Sequence, residues 1–103
     1  MSNQVFQSFV TSKINIPNEA ISKIKNDNGA IIKVNGLDIG VYKNASGNIY
    51  AIKPNCTHLG CLLTWNNLDK TWDCPCHGSR FDYTGKNIYD PAYQNLEKIN
   101  FSN

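Results

Sequence analysis

The sequence contains no apolar run approaching the roughly 20 residues that a membrane-spanning helix needs. Its first residues lack a basic segment followed by an apolar stretch, so no export signal is read there. Charge is sparse at 17% of residues, and the ten basic and eight acidic side chains are scattered without a run of one sign. That distribution offers no footprint for nucleic acid. No repeat, low-complexity tract or interdomain linker interrupts residues 13 to 103. What is left is a single soluble globular domain, 41% hydrophobic, with the cytoplasm as its expected compartment. A chain of this size buries only about two thirds of its unfolded surface, so a metal or a disulfide would add useful stability.

Histidine and cysteine are also few, two and four residues, and all six fall in two short boxes. The first reads Cys56-Thr57-His58-Leu59-Gly60-Cys61 and the second Cys74-Pro75-Cys76-His77-Gly78-Ser79. Thiolate and imidazole are the donors that borderline and soft metals take, and ordinary packing does not concentrate them in this way. Fifteen residues separate His58 from Cys74, enough for two loops to close on one centre. A structural zinc site on Cys56, His58, Cys74 and His77 is one use of such donors. Its usual spacings are Cys-x2-4-Cys and His-x3-5-His, however, and it leaves Cys61 and Cys76 without a role. A thiol enzyme built on a Cys-His pair needs fewer such residues than are present.

Around the boxes the pattern is mostly that of strands. Residues 17 to 25 read as a short helix, with Pro17 in its first turn and Ile21 and Ile24 facing inward. Residues 30–34 and 37–43 flank Asn35-Gly36, a strong hairpin signal, and residues 48–53 follow a second turn as a third strand. Pro54 stops that strand. Residues 62–65, 71–73 and 80–83 read as further strands, with 84–86 as a turn, and 96–101 alternates as a half-buried strand does. Trp65 and Trp72 read as cross-strand packing in preference to cofactor stacking. Val5, Phe6, Phe9 and Val10 recur at helical spacing in residues 1–12, either as an arm packed on the domain or as the stub of a linker.

Cys-x-His-x-Gly-Cys followed by Cys-x-Cys-His-Gly-Ser resembles the two cluster-binding loops of the Rieske iron–sulfur family, and the resemblance covers about residues 29 to 99. It implies an all-β domain over residues 13–103, an antiparallel β sandwich with a two-loop cluster-binding subdomain (loops about 54–61 and 74–82) and a short helix near its N-terminus. By position, Cys56 and Cys74 would bind one iron of a [2Fe–2S] cluster, and His58 and His77 the other. Cys61 and Cys76 would form the disulfide of the disulfide-containing branch, with burial beneath the cluster shielding it from glutathione. Ser79 matches a serine that hydrogen-bonds cluster sulfide in high-potential relatives. Phe81 stands where those relatives often carry a tyrosine bonded to a ligand sulfur, and Tyr83 is a possible substitute. One donor kept and one lost implies an intermediate potential. Asp90-Pro91-Ala92 resembles the Gly-Pro-Ala loop that covers the cluster, with Pro91 in place and Asp90 replacing glycine.

Within the family, a soluble chain with the disulfide pair looks most like the C-terminal domain of bacterial FAD-dependent oxidoreductases of the amino-acid oxidase type. The resemblance then implies single-electron transfer to a redox partner protein or a covalently linked flavin domain, FAD on an upstream domain, and no catalysis by this domain alone. A stand-alone ferredoxin, or the small subunit of a reductase or oxygenase, is the alternative.

Overall fold

In the computed structural model, which describes residues 13 to 102, the chain enters through β1 (Ile14–Asn15) and α1 (Asn18–Ser22). The arm or linker read in residues 1–12 lies outside the described residues. α1 is shorter than the 17–25 expected. The Pro17 carbonyl accepts from Ala20 N–H at 3.0 Å, and the helix tightens at its end, where Ile24 N–H bonds the Ile21 carbonyl at 3.0 Å. So short a helix does not propagate on its own propensity; packing holds it, and Ile21 and Ile24 are both buried.

Asn35 and Gly36 take positive φ, 52° and 82°, as the twist of a tight hairpin requires. They join β2 (Asn28–Val34) to β3 (Leu37–Lys43), paired from Asn28↔Lys43 to Val34↔Leu37, and β4 (Ile49–Ile52) adds to β3. A second antiparallel sheet runs β5 (Thr64–Asn66), β6 (Thr71–Asp73), β7 (Arg80–Asp82) and β8 (Asn87–Tyr89). β9 (Phe101–Ser102) pairs in parallel with β1. The all-β expectation holds, with two differences. β8 forms where the sequence pattern predicts no strand, and residues 96–101 form a strand only at Phe101. The stretch before it runs along β4 instead, through an Ile52↔Lys98 bridge and hydrogen bonds from Lys53 N–H to the Glu97 carbonyl and from Ile99 N–H to the Ala51 carbonyl. Its alternation reflects that edge contact.

Two buried cores result. One gathers Ile16, Ile21, Ile24, Val34, Ile39, Val41 and Ala51 under α1 and the hairpin. The other, on the side of the metal boxes, holds Ile52, Cys56, Leu63, Trp72, Cys74, Phe81, Ala92 and Leu96. Trp65 faces Trp72 and Trp72 faces Phe81 in direct cross-strand register, so one side of the second sheet is an apolar row. The tryptophans are packing residues, as read from the sequence, with ring centroids 4.9 Å apart.

Glycine makes the close approach of the two sheets possible. A Cβ on Gly29 would fall 2.6 Å from the Trp65 ring, and one on Gly40 would fall 2.7 Å from Ile52 and 3.0 Å from Trp72. Polar contacts then tie the sheets at the edge. The Tyr42 hydroxyl donates to the Asp27 carboxylate at 2.7 Å, and Lys70, from the β5–β6 turn, pairs with the same carboxylate at 3.2 Å. These bonds hold the Asp27 carboxyl below its ordinary value of 3.8. The Tyr42 phenol is pushed up to about 12 by burial and by the adjacent carboxylate.

Gly40→Ala is expected to destabilise the fold by about 1–3 kcal/mol, the usual range for overpacking. The shift of the denaturation midpoint reads this, and an unchanged midpoint would mean that Trp72 moves aside without cost. Because the Asp27 carboxyl is depressed in the folded state, its stabilising share is present above the ordinary aspartate range and is lost as pH falls through the depressed value. Asp27→Asn should therefore flatten the acid limb of the stability–pH curve, and a superimposable curve would count against the contact.

Candidate metal centre

The two boxes fold as near copies of one loop. In the first, Cys56 N–H bonds the Cys61 carbonyl at 2.8 Å and Gly60 N–H bonds the Cys56 carbonyl at 2.7 Å. In the second, Cys74 N–H bonds the Ser79 carbonyl at 2.8 Å and Gly78 N–H bonds the Cys74 carbonyl at 3.1 Å. Each loop is six residues with glycine in its fifth place at positive φ, 79° at Gly60 and 83° at Gly78, a backbone state that side chains rarely take. The necks differ. An Asn55↔Leu62 bridge closes the first loop. An Arg80–Asp73 ion pair at 3.0 Å on the polar side of the second sheet braces the other, and Arg80 also donates to Asp69 at 2.6 Å.

Within this common frame the donors sort by burial. Cys56 and Cys74 open their loops and are each 4% exposed. Cys74 lies two residues beyond Trp72, so the alternation of β6 carries it onto the inward side. His58 and His77 are exposed, with ring centroids 5.5 Å apart and planes at 82°. Burial alone would raise the Cys56 thiol. It is outweighed by the His58 amide, the Cys74 side chain, the Leu59 amide and the Ser79 hydroxyl, and the thiol is lowered overall. A buried thiol lowered in this way, in an apolar core, suits a metal–sulfur centre.

Cys61 and Cys76 are joined in a disulfide, as the resemblance implied. Three sulfurs, those of Cys61, Cys74 and Cys76, lie within 4.8 Å of one another, but two of them are spent in that bond and offer no thiolate. In the protein chain itself Cys76 is exposed and Cys61 half-buried.

Ser79 is fully buried and its Oγ accepts the Ala92 N–H at 3.0 Å. That bond docks the third loop. Asp90 and Pro91, joined by a cis peptide, are exposed, and Ala92 is the buried member of the trio. Sequence reading passed over Thr57, whose hydroxyl donates to the Gln94 carbonyl at 2.8 Å and ties the first box to the same loop. Only the tertiary fold brings residues 37 apart together there. Phe81 is fully buried in the core with the two cysteines, whereas the Tyr83 ring is engaged with Tyr42 and Tyr50.

A family model described as Rieske [2Fe-2S] domain matches residues 16–100. The chain belongs to the Rieske [2Fe-2S] family. It is 35% identical over 95 residues to YhfW of Bacillus subtilis, described as a Rieske 2Fe-2S iron-sulfur protein; the match covers 92% of this chain and 19% of that one. It is 49% identical over 47 residues to cytochrome b6-f complex iron-sulfur subunit 1 of a Nostoc species, covering 46% of this chain and 26% of the subunit. The plasma membrane Rieske protein PetC3 of Synechocystis PCC 6803 superposes with a TM-score of 0.61 at 35% identity, over 68% of this chain and 72% of that one. The chain spans only about a fifth to a quarter of the length of the curated relatives it matches.

A Rieske domain takes a [2Fe–2S] cluster, and the residues present fit it: a buried cysteine pair, with the Cys56 thiol lowered, beside an exposed histidine pair. Among the described residues no helix is long and apolar enough to cross a membrane. Since Phe81 already shares the core of Cys56 and Cys74, Phe81→Tyr should raise the cluster's midpoint potential by adding a hydrogen bond that favours the more negative reduced state. Protein-film voltammetry reads this, and an unchanged potential would show that the hydroxyl does not reach a ligand sulfur.

Proposed function

We propose that Cys56 and Cys74 hold an inner iron and His58 and His77 an outer iron of the cluster, and that the domain passes single electrons through the histidine side. The observation carrying this reading is the split in exposure: both cysteines are buried while both imidazoles lie at the surface about one ring-width apart. When bound, a cluster with two imidazoles in place of two thiolates supplies a one-electron couple at about −150 to +300 mV, against about −400 mV for an all-cysteine one. His58 and His77 give the electron a short exit to a docked partner. Their exposure leaves the outer ring nitrogens in reach of solvent and of a docked partner. The Ser79 hydroxyl, buried beside the site, would donate to cluster sulfur and favour the reduced state. With two protein donors on each iron, Cys56 and Cys74 on one and His58 and His77 on the other, no position would be left open for substrate, so the domain carries electrons and leaves substrate chemistry to its partner.

The larger setting we infer is a cytoplasmic flavin-dependent oxidoreductase, with this domain at its C-terminus and FAD on another domain. Two features support it: the disulfide branch of the resemblance, and the match to YhfW, of whose length this chain spans 19%. Purified from its source, the native protein should show flavin absorbance together with the cluster spectrum. A cluster without flavin would make it a stand-alone ferredoxin or a small subunit.

Ligation is tested by EPR of the dithionite-reduced protein. A rhombic signal with average g below that of all-cysteine clusters is expected, and His77→Cys or His58→Ala should abolish or convert it. Either variant retaining the native spectrum would contradict the ligand assignment. A colourless, EPR-silent protein containing zinc would make the domain a structural metal module.

A further inference from the structure

Five aromatic side chains form an unbroken line from the core beneath the metal loops to the edge of the hairpin. Trp72 is fully buried and shares its core with Cys56 and Cys74. Its ring centroid lies 4.9 Å from that of Trp65, and Trp65 lies 5.0 Å from Tyr42. Tyr42 lies 5.1 Å from Tyr83, which is 5.0 Å from Tyr50. Every member is an indole or a phenol, the two side-chain rings that give up one electron most readily. Phe81, which resists oxidation, packs in the core with Trp72 but forms no part of this line.

Hydrogen bonding changes along the line in a way that packing alone does not require. Trp72 Nε1 is buried and has no acceptor among the described residues, an exception in a folded protein that needs a reason. Trp65 Nε1 donates at 3.0 Å to the neutral amide oxygen of Asn67. The Tyr42 hydroxyl donates at 2.7 Å to a carboxylate, Asp27. An oxidised indole with no base beside it cannot shed its proton, so it remains a strong oxidant and takes an electron from its neighbour. A phenol bonded to a carboxylate loses its proton as it loses its electron, which traps the oxidising equivalent. The driving force therefore runs outward, from Trp72 through Trp65 to Tyr42.

We propose that this line draws oxidising equivalents away from the metal loops, so that a peroxide attacking at the histidine side takes its second electron from Tyr42 and spares the ligand cysteines. The proposal rests on the cluster assignment above. Hydrogen peroxide is cleaved at its O–O bond to two waters, which needs two electrons and two protons. One electron comes from the reduced cluster and one from Tyr42, relayed through Trp65 and Trp72. One proton leaves Tyr42 for Asp27, which returns it to solvent, and the waters take both protons from solvent. Tyr42 is left as a neutral phenoxyl radical, which the Tyr83 and Tyr50 rings adjoin.

The test mixes the reduced, cluster-loaded protein with hydrogen peroxide and freezes it for EPR, after its spectrum has been recorded without peroxide. A tyrosyl radical is expected, lost in Tyr42→Phe and in Trp65→Phe, with cluster absorbance bleaching severalfold faster in both variants. Tyr42→Phe keeps the ring, and a normal cluster spectrum before peroxide shows that the variant has folded. Asp27→Asn leaves all five rings in place and should lower the radical yield by removing the base. A reduced-cluster signal with no tyrosyl radical after peroxide overturns the proposal, as does a radical and a bleaching rate that none of the substitutions alters. Lack of the cluster signal before peroxide instead overturns the ligand assignment, and this proposal with it.

Discussion

The contact on which the rest depends is the seating of two indoles on bare backbone. Trp65 and Trp72 lie against Gly29 and Gly40, where even a methyl group would collide. The β2–β3 hairpin and the sheet carrying the second metal box therefore approach more closely than side chains ordinarily allow. Once Trp72 is fixed, strand alternation places Cys74 two residues on, facing the same way into the core. Phe81, opposite Trp72, fixes β7 and so the far end of the second loop. The position of the metal site is thus inherited from packing at some remove from it, in keeping with the rule that binding loops are aimed by a rigid scaffold.

Asymmetry between two otherwise similar loops then gives the centre its character. Both loops begin with a buried cysteine and share one hydrogen-bonding frame, but histidine stands third in one and fourth in the other. The vacated third place in the second loop holds Cys76, which the disulfide joins to Cys61 at the end of the first. Cross-linking, ligand supply and surface exposure are divided among neighbouring positions without competition. Hydroxyls complete the enclosure from below: Ser79 holds Ala92 and Thr57 holds Gln94, so the third loop is anchored to each metal loop by one bond.

Much of this was legible in the sequence. The Asn35-Gly36 hairpin and the pairing of Trp65 with Trp72 depend on local chemistry or short spacing, and the structure has both. Contacts between distant residues were not legible. The parallel β1–β9 pair and the Thr57–Gln94 bond join parts of the chain that no local pattern relates. Residues 96–101 misled because an alternating pattern arises equally from a strand and from a segment laid along a sheet edge. Gly29 and Gly40 did carry a signal, since glycine inside a strand marks close approach of another group, but the hairpin pattern around them absorbed it. The exposure of Cys76 could not be read from sequence at all.

That exposure bears on why the cross-link is present. A loop closed over 15 residues is worth about 3 kcal/mol on chain-entropy grounds, a large share of the stability of a domain this size. The bond joins the two metal loops themselves, so the entropy it removes is that of bringing them together. The donors are thereby gathered before any metal arrives, and less of the metal's binding free energy goes into ordering the chain. An accessible bond is also an adjustable one, because thiolate attack depends on reaching a sulfur. With Cys76 at the surface and the Cys74 sulfur within 4.8 Å of both disulfide sulfurs, the cross-link sits among the same few atoms as a buried cysteine of the second box. Stability, metal loading and electron transfer in this domain therefore converge on one pair of loops and respond together when either loop is disturbed.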